Sequence, residues 1–249
     1  MFPLKDDIPS RTIPFVTMLL IALNVTAFLY QVSLGIGSPE AARAAQEFIA
    51  EFGLVPCRLT GACVDPVAGL PSPYVTILSS MFLHGGLLHV GGNMLYLWIF
   101  GDNVEDTLGH FRFIAFYLLS GLAAAFGQTA IAPSSHVPMI GASGAVAGVL
   151  GAYLLLFPHA RILTLLIIGF FVRLVYIPAL VVLGFWAVVQ FFSGFMTLGL
   201  ATGGEPGGGV AFWAHVGGFI AGIVLLFILR PGGDPRPAWI SGPTLFRRP

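Results

Sequence analysis

The strongest constraint on this chain is a series of uncharged apolar runs, each close to the roughly 20 residues that a helix needs to cross a hydrocarbon core about 30 Å thick. One reads VTMLLIALNVTAFLYQV, a second FIAFYLLSGLAAAFGQTAI and a third WAHVGGFIAGIVLLFIL. In lipid the backbone must satisfy its own hydrogen bonds, which leaves helices as the natural form of such runs. Composition agrees: 57% of the 249 residues are hydrophobic and 9% charged, which does not describe a soluble domain. The 11 basic and 11 acidic residues cancel, so no basic face points to nucleic acid.

We therefore expect an all-α polytopic membrane protein with six spanning helices in one membrane domain. The helices are expected at about Arg11 to Ser33, Gly85 to Asp102, Phe113 to Ile131, Ala142 to Phe157, Leu174 to Gly194 and Val210 to Arg230. Pro231 and the glycines after it close the last one. The helical core covers about 11–230, with a long external loop at about 34–81 and a short cytoplasmic tail at 231–249. Ile162 to Val172 is wholly apolar but would reach only roughly 17 Å as a helix. It is read as a buried or interfacial connection, which keeps the count at six.

Charge distribution orients the set. An amino terminus inside places Lys5, Arg11, Arg112, Arg161, Arg173, Arg230, Arg236, Arg247 and Arg248 on the cytoplasmic side, and leaves only Arg43 and Arg58 outside. The fourth and sixth helices then both enter from the outer face. The first apolar run is long enough to span and lacks a convincing small-residue cleavage site, so it is read as a retained anchor. The short termini suggest a bacterial plasma membrane.

Two short pieces carry polar groups that are costly in lipid: GASGAVAG at Gly141 to Gly148 and AHVGG at Ala214 to Gly218. Ser143 starts one entering helix, and His215 would sit roughly 7 to 8 Å below the start of the other. A nucleophile and its base at similar depth meet if the helices touch. Gly144, Gly148 and Gly151 on one helix and Gly217, Gly218 and Gly222 on the other favour close approach. Taken alone, such glycines are packing surfaces and a single histidine is a hydrogen-bonded structural group. The coincidence of all of them in order raises the catalytic reading.

A third cluster lies in HGGLLHVGGN. His89 and Asn93, four apart, share a helix face, while His84 precedes Gly85 and Gly86 at the helix entry. Acyl transfer requires donors for the oxyanion, and Ser143 at a helix start adds free backbone N–H groups and the dipole. The preceding IAPSSHVPMIG, with its two prolines, suggests a loop dipping into the membrane where backbone faces protein or water.

These residues resemble the rhomboid family of intramembrane serine proteases, whose hallmarks are G-x-S-x-G, a later A-H-x-x-G and an upstream H-x-x-x-x-H-x-x-x-N. The resemblance runs from DDIPSR through FGDNVED to Arg230. It implies Ser143 as nucleophile and His215 as general base, without a third carboxylate. It also implies an oxyanion site from His89, Asn93 and the Ser143 N–H, with His84 and Gly141 in support, and Glu105 as a structural acid. The implied partners are transmembrane substrates with helix-weakening residues, together with membrane lipids. Some members carry an aromatic residue four positions after the nucleophile that stacks on the histidine. Here that position is Ala147, so another group must orient His215. Glu205 is the acid in the loop before the sixth helix, and nothing in the sequence places it against His215.

Other chemistries lack their signatures. H-E-x-x-H is missing, paired intramembrane aspartates are missing, and the histidine spacing matches no familiar zinc set, so no metal and no cofactor are expected. A transporter would show a repeated half or broken helix pairs, and none is evident. Glu105 and Asp102 also read as a solvated or capping cluster. The fifth helix, with Phe185, Trp186, Phe191, Phe192 and Phe195 before GLATGGEPGGG, reads equally as a gate or as lipid-facing packing. Cys57 and Cys63 form a disulfide if their side is oxidising, and are free thiols otherwise.

Overall fold

Apolar runs without internal charges fold into the helices that dominate a computed structural model describing residues 1–63, 70–200 and 209–231. The chain opens with β1 (Phe2–Lys5) and α1 (Phe15–Leu34), followed by α2 (Pro39–Phe52), α3 (Pro56–Thr60) and α4 (Pro73–Ser80). Then come α5 (Leu87–Leu108), α6 (His110–Ile131) and α7 (Ser143–Leu156). A hairpin of β2 (Arg161–Ile168) and β3 (Phe171–Pro178) leads to α8 (Ala179–Leu200) and α9 (Phe212–Leu229). Helices α1, α6, α8 and α9 are long and apolar enough to cross a membrane, and α7 is a shorter apolar helix. The protein is an integral, multi-pass membrane protein.

The fold is mostly helical rather than all-α, which corrects the sequence expectation. Residues 161–178 form two antiparallel strands, with Ile168 paired to Phe171 around a turn in which Gly169 has φ +59°. The hairpin is joined by β1 through Phe2 opposite Leu165, giving a sheet in the order β1-β2-β3. The fifth long helix accordingly starts at Ala179, not at Leu174, which lies in β3. A nearly uniform apolar run has no alternation to distinguish strand from helix, and the β-branched content of RILTLLII was the remaining signal.

Other boundaries move by a few residues. Helix α5 begins at Leu87 and continues past Asp102 to Leu108, because its polar end is used for capping. The Glu105 carboxylate is fully buried and accepts the N–H groups of Val16 (3.0 Å) and Thr17 (2.8 Å) in the first turn of α1, as well as the Thr17 hydroxyl (2.7 Å). His110 Nδ1 lies 2.5 Å from the same carboxylate. Asp106 accepts from the backbone of Arg11 and Thr12, and Asp102 from the Ser10 hydroxyl. The cluster is a capping one, and at Glu105 it is not solvated. Asp6 is also buried, and receives the Tyr153 hydroxyl (2.5 Å) and the Asn103 side-chain amide (3.0 Å), which ties the amino-terminal segment to α5 and α7.

Helix α7 stands at the centre. All but a few of its residues are buried, consistent with a sequence that is apolar or small on every face. It packs against α5, α6, α8 and α9, and its aromatic residue Tyr153 meets Phe100 of α5 edge-on. The external loop expected at about 34–81 is structured where described. Ser38 caps α2 through the Ala41 N–H, and Cys57 is bonded to Cys63.

Candidate active site

Ser143 is the first residue of α7, and the residues before it are held on several sides. Gly141 donates its N–H to the Ser80 carbonyl (2.9 Å) and has φ +124°, a conformation that suits glycine. A Cβ at this position would stand 2.7 Å from His89 Nε2, so space as well as conformation requires glycine. Upstream, Leu54 and Met139 exchange backbone hydrogen bonds, Cys57 donates its N–H to the Ser135 carbonyl, and the Thr60 hydroxyl donates to the Pro133 carbonyl. The disulfide-bearing helix α3 therefore braces the loop that delivers the serine.

His215 lies on α9, close to its start, where the Gln128 side-chain oxygen accepts the Ala214 N–H (3.2 Å) and the Trp213 indole donates to the Gly194 carbonyl (3.2 Å). Glycine brings α9 to α7. The space a Cβ would need at Gly218 is taken by the Gly144 carbonyl, and that at Gly222 by the Gly148 carbonyl. On its other side Gly144 faces Ala124 of α6, where an added Cβ would sit 2.5 Å from the alanine methyl. At this approach His215 Nε2 lies 2.8 Å from Ser143 Oγ, within hydrogen-bond reach.

The upstream cluster divides into two kinds of group. His84 is fully buried, with Nδ1 3.3 Å from the Phe82 carbonyl, and its Nε2 accepts the Ala142 N–H at 3.5 Å. Its backbone exchanges hydrogen bonds with the Gln31 side chain. His84 thus holds the turn beside Ser143 and stacks edge-on against His89 at 5.1 Å between ring centres. His89 Nδ1 accepts the Gly85 N–H (3.2 Å), which leaves Nε2, the nitrogen facing Gly141, as the protonated one. Asn93 uses one amide hydrogen on the His89 carbonyl (3.0 Å) and retains a second donor. Ser143, His215, His89, Asn93 and Gly141 all line one cavity of about 780 Å³, which Tyr96, Met139 and Trp186 also border.

Two side chains of α8 stand beside His215 where the sequence expectation placed neither. Gln190 of α8 is buried, and its Oε1 lies 2.8 Å from His215 Nδ1. The Trp186 ring, one turn earlier, is tilted by 35° at 5.9 Å from the imidazole. The signal in the sequence was a lone amide within ALVVLGFWAVVQFF, a polar group in a segment that otherwise avoids them. Ala147 is fully buried. Glu205 lies outside the described residues, as do most of GLATGGEPGGG and the tail after Pro231. Among the described residues no carboxylate hydrogen-bonds to His215. With a hydroxyl, an imidazole and several donors at one wall of a cavity, the arrangement has the parts for acyl transfer.

The chain is similar to known proteins over much of its length. The yeast (Saccharomyces cerevisiae) protein Rhomboid protein 1, mitochondrial, is 36% identical over 123 residues, covering 46% of this chain and 36% of its own length. RHOMBOID-like protein 5 of Arabidopsis thaliana is 31% identical over 153 residues, covering 61% of this chain and 43% of its own. Rhomboid protease GluP of Bacillus subtilis is 38% identical over 78 residues, covering 31% and 15%. The chain thus spans less than half the length of each of these relatives. A Rhomboid domain is matched over residues 71–232, which takes in Ser143, His215 and the whole upstream cluster. With well over half of its length inside that domain, the chain belongs to the rhomboid family of intramembrane serine proteases.

Proposed function

We propose that this protein is a serine endopeptidase that hydrolyses peptide bonds in or near transmembrane segments, with Ser143 as nucleophile and His215 as general base. The observation that carries the reading is the 2.8 Å approach of His215 Nε2 to Ser143 Oγ in a cavity that also holds His89 and Asn93. Ser143 Oγ attacks the scissile carbonyl carbon while its proton passes to Nε2. The oxyanion is met by His89 Nε2–H, the free amide hydrogen of Asn93 and the Ser143 N–H, with Gly141 and His84 holding that wall in place. Collapse expels the amine, which takes the proton from His215. Water then gives its proton to His215 and hydrolyses the acyl-enzyme. The reaction as written draws on no cofactor or metal.

In this reading α1, α5, α6, α7, α8 and α9 all cross the bilayer, in a single membrane domain, and the hairpin of β2 and β3 stays on one side. Lys5, Arg11, Arg112, Arg161, Arg173 and Arg230 then share the cytoplasmic side, and the cavity opens towards the outer face. Substrates are membrane proteins whose helices are weakened by Gly, Pro or polar residues near that face, since an intact helix shields its carbonyls.

The test is cleavage of a model transmembrane substrate in liposomes by wild type, Ser143→Ala and His215→Ala, together with fluorophosphonate labelling. Wild type is expected to cut and label, and both variants to lose cleavage. Cleavage by Ser143→Ala would overturn the assignment.

A further inference from the structure

His215 has two ring nitrogens and can serve as a base towards Ser143 only if the proton of its neutral form sits on the other one. Nε2 faces Ser143 Oγ at 2.8 Å, so the lone pair must be on Nε2 and the hydrogen on Nδ1. Nδ1 in turn lies 2.8 Å from Gln190 Oε1, an acceptor that satisfies this tautomer and no other. We propose that Gln190 is the positioning residue of the dyad: its side-chain oxygen holds the His215 Nδ1–H and so fixes the tautomer and ring orientation that leave Nε2 free to take the serine proton.

This inference rests on the protease reading and adds the residue that does the work an acid performs in a triad. Three observations support it beyond the single distance. Gln190 is buried, so water competes poorly for its oxygen. Trp186, one turn earlier on the same face of α8, sets its ring against the same imidazole, so two side chains of one helix restrain His215 together. The position that holds a stacking aromatic in other members is Ala147, which has no group to orient a ring. Around His215 the other groups that matter to its charge are His89, across the cavity from α5, and Ser143 on α7. A neutral amide stabilises the imidazolium formed during attack less than a carboxylate would. The device therefore favours orientation over basicity.

The experiment compares wild type, Gln190→Leu, Gln190→Glu and Ser143→Ala in liposomes, measuring kcat and KM on one model transmembrane substrate across pH, with thermal melting as a check on folding. Leucine keeps the bulk and removes the acceptor, so kcat is expected to fall about tenfold or more with KM within about twofold. Glutamate keeps an acceptor and adds a charge beside the ring. Its kcat should stay within a few-fold of wild type, while the acidic limb of kcat/KM moves up by roughly one pH unit. A packing role alone would spare leucine and leave the profile in place. Wild-type kcat in Gln190→Leu, or an active Gln190→Glu with an unmoved acidic limb, would overturn the proposal while leaving the protease reading intact. Cleavage by Ser143→Ala would instead overturn the protease reading itself. If Gln190→Leu fails to fold, the profile of Gln190→Glu decides.

Discussion

The backbone of α7 at Gly144 touches α9 at Gly218 so closely that its carbonyl oxygen fills the place a side chain on Gly218 would take. That contact sets the distance between Ser143, one residue before Gly144, and His215, one turn before Gly218. Gly218→Val is expected to force the helices apart, destabilise the protein by about 3 kcal/mol or more, and abolish fluorophosphonate labelling. A melting curve and a labelling gel check both, and unchanged labelling in the variant would show that the dyad does not depend on this approach.

In the proposed reaction His89 and Asn93 serve the oxyanion, not proton transfer. Replacing either by alanine should lower kcat by about a hundredfold and leave KM nearly as it was, because the donor acts only when charge develops on the carbonyl oxygen. Steady-state kinetics on a single substrate separate the two. A rise in KM at constant kcat would mean that the side chain binds substrate instead.

Glu105 serves the fold. Its carboxylate closes the first turn of α1 through Val16 and Thr17, far along α5 from His89 and Asn93. Glu105→Ala leaves those buried N–H groups without their acceptor, and a loss of roughly 3 kcal/mol is expected. Activity per folded molecule at low temperature should be retained. Thermal melting alongside active-site titration tests the separation of stability from chemistry.

Asp6 gives the structure a pH dependence. Burial is the main cause that pushes its carboxyl up from 3.8 to about 6, with the nearby charges of Asp102 and Asp7 acting in the same direction and the Tyr153 hydroxyl opposing them. Between those two values the folded protein holds a proton that the unfolded chain has released. Stability must therefore fall as pH rises through this window, and the loss is complete above about pH 6. Melting temperature should rise on going from pH 7 to pH 5, and Asp6→Asn should remove that component of the rise. An equal slope in the variant would assign the effect elsewhere.

Much of this protein can be read directly from its residues. The apolar runs identify α1, α6, α7 and α9 to within a few residues, and α8 with its start placed too early, because a segment without charges in lipid must close its hydrogen bonds within itself. Ser143, His215, His89 and Asn93 stand out for the complementary reason: polar groups in such segments are costly and need a role. The glycine pairs point to a contact between two helices, although which backbone atoms meet is visible only once the helices are assembled. Where the sequence pattern falls silent, the reason is physical in each case. Residues 161–178 are apolar at most positions, so neither a period of two nor one of 3.6 shows, and it is the pairing of the two halves with each other, extended by Phe2–Lys5, that makes them strands. Gln190 becomes the partner of His215, and α3 the brace of the loop before Ser143, through contacts between distant segments that no local pattern encodes. Local sequence thus picks out the segments apolar enough to enter lipid and the polar side chains that stand out within them. Tertiary packing alone decides which nitrogen of His215 faces the serine, since that depends on a bond between two helices.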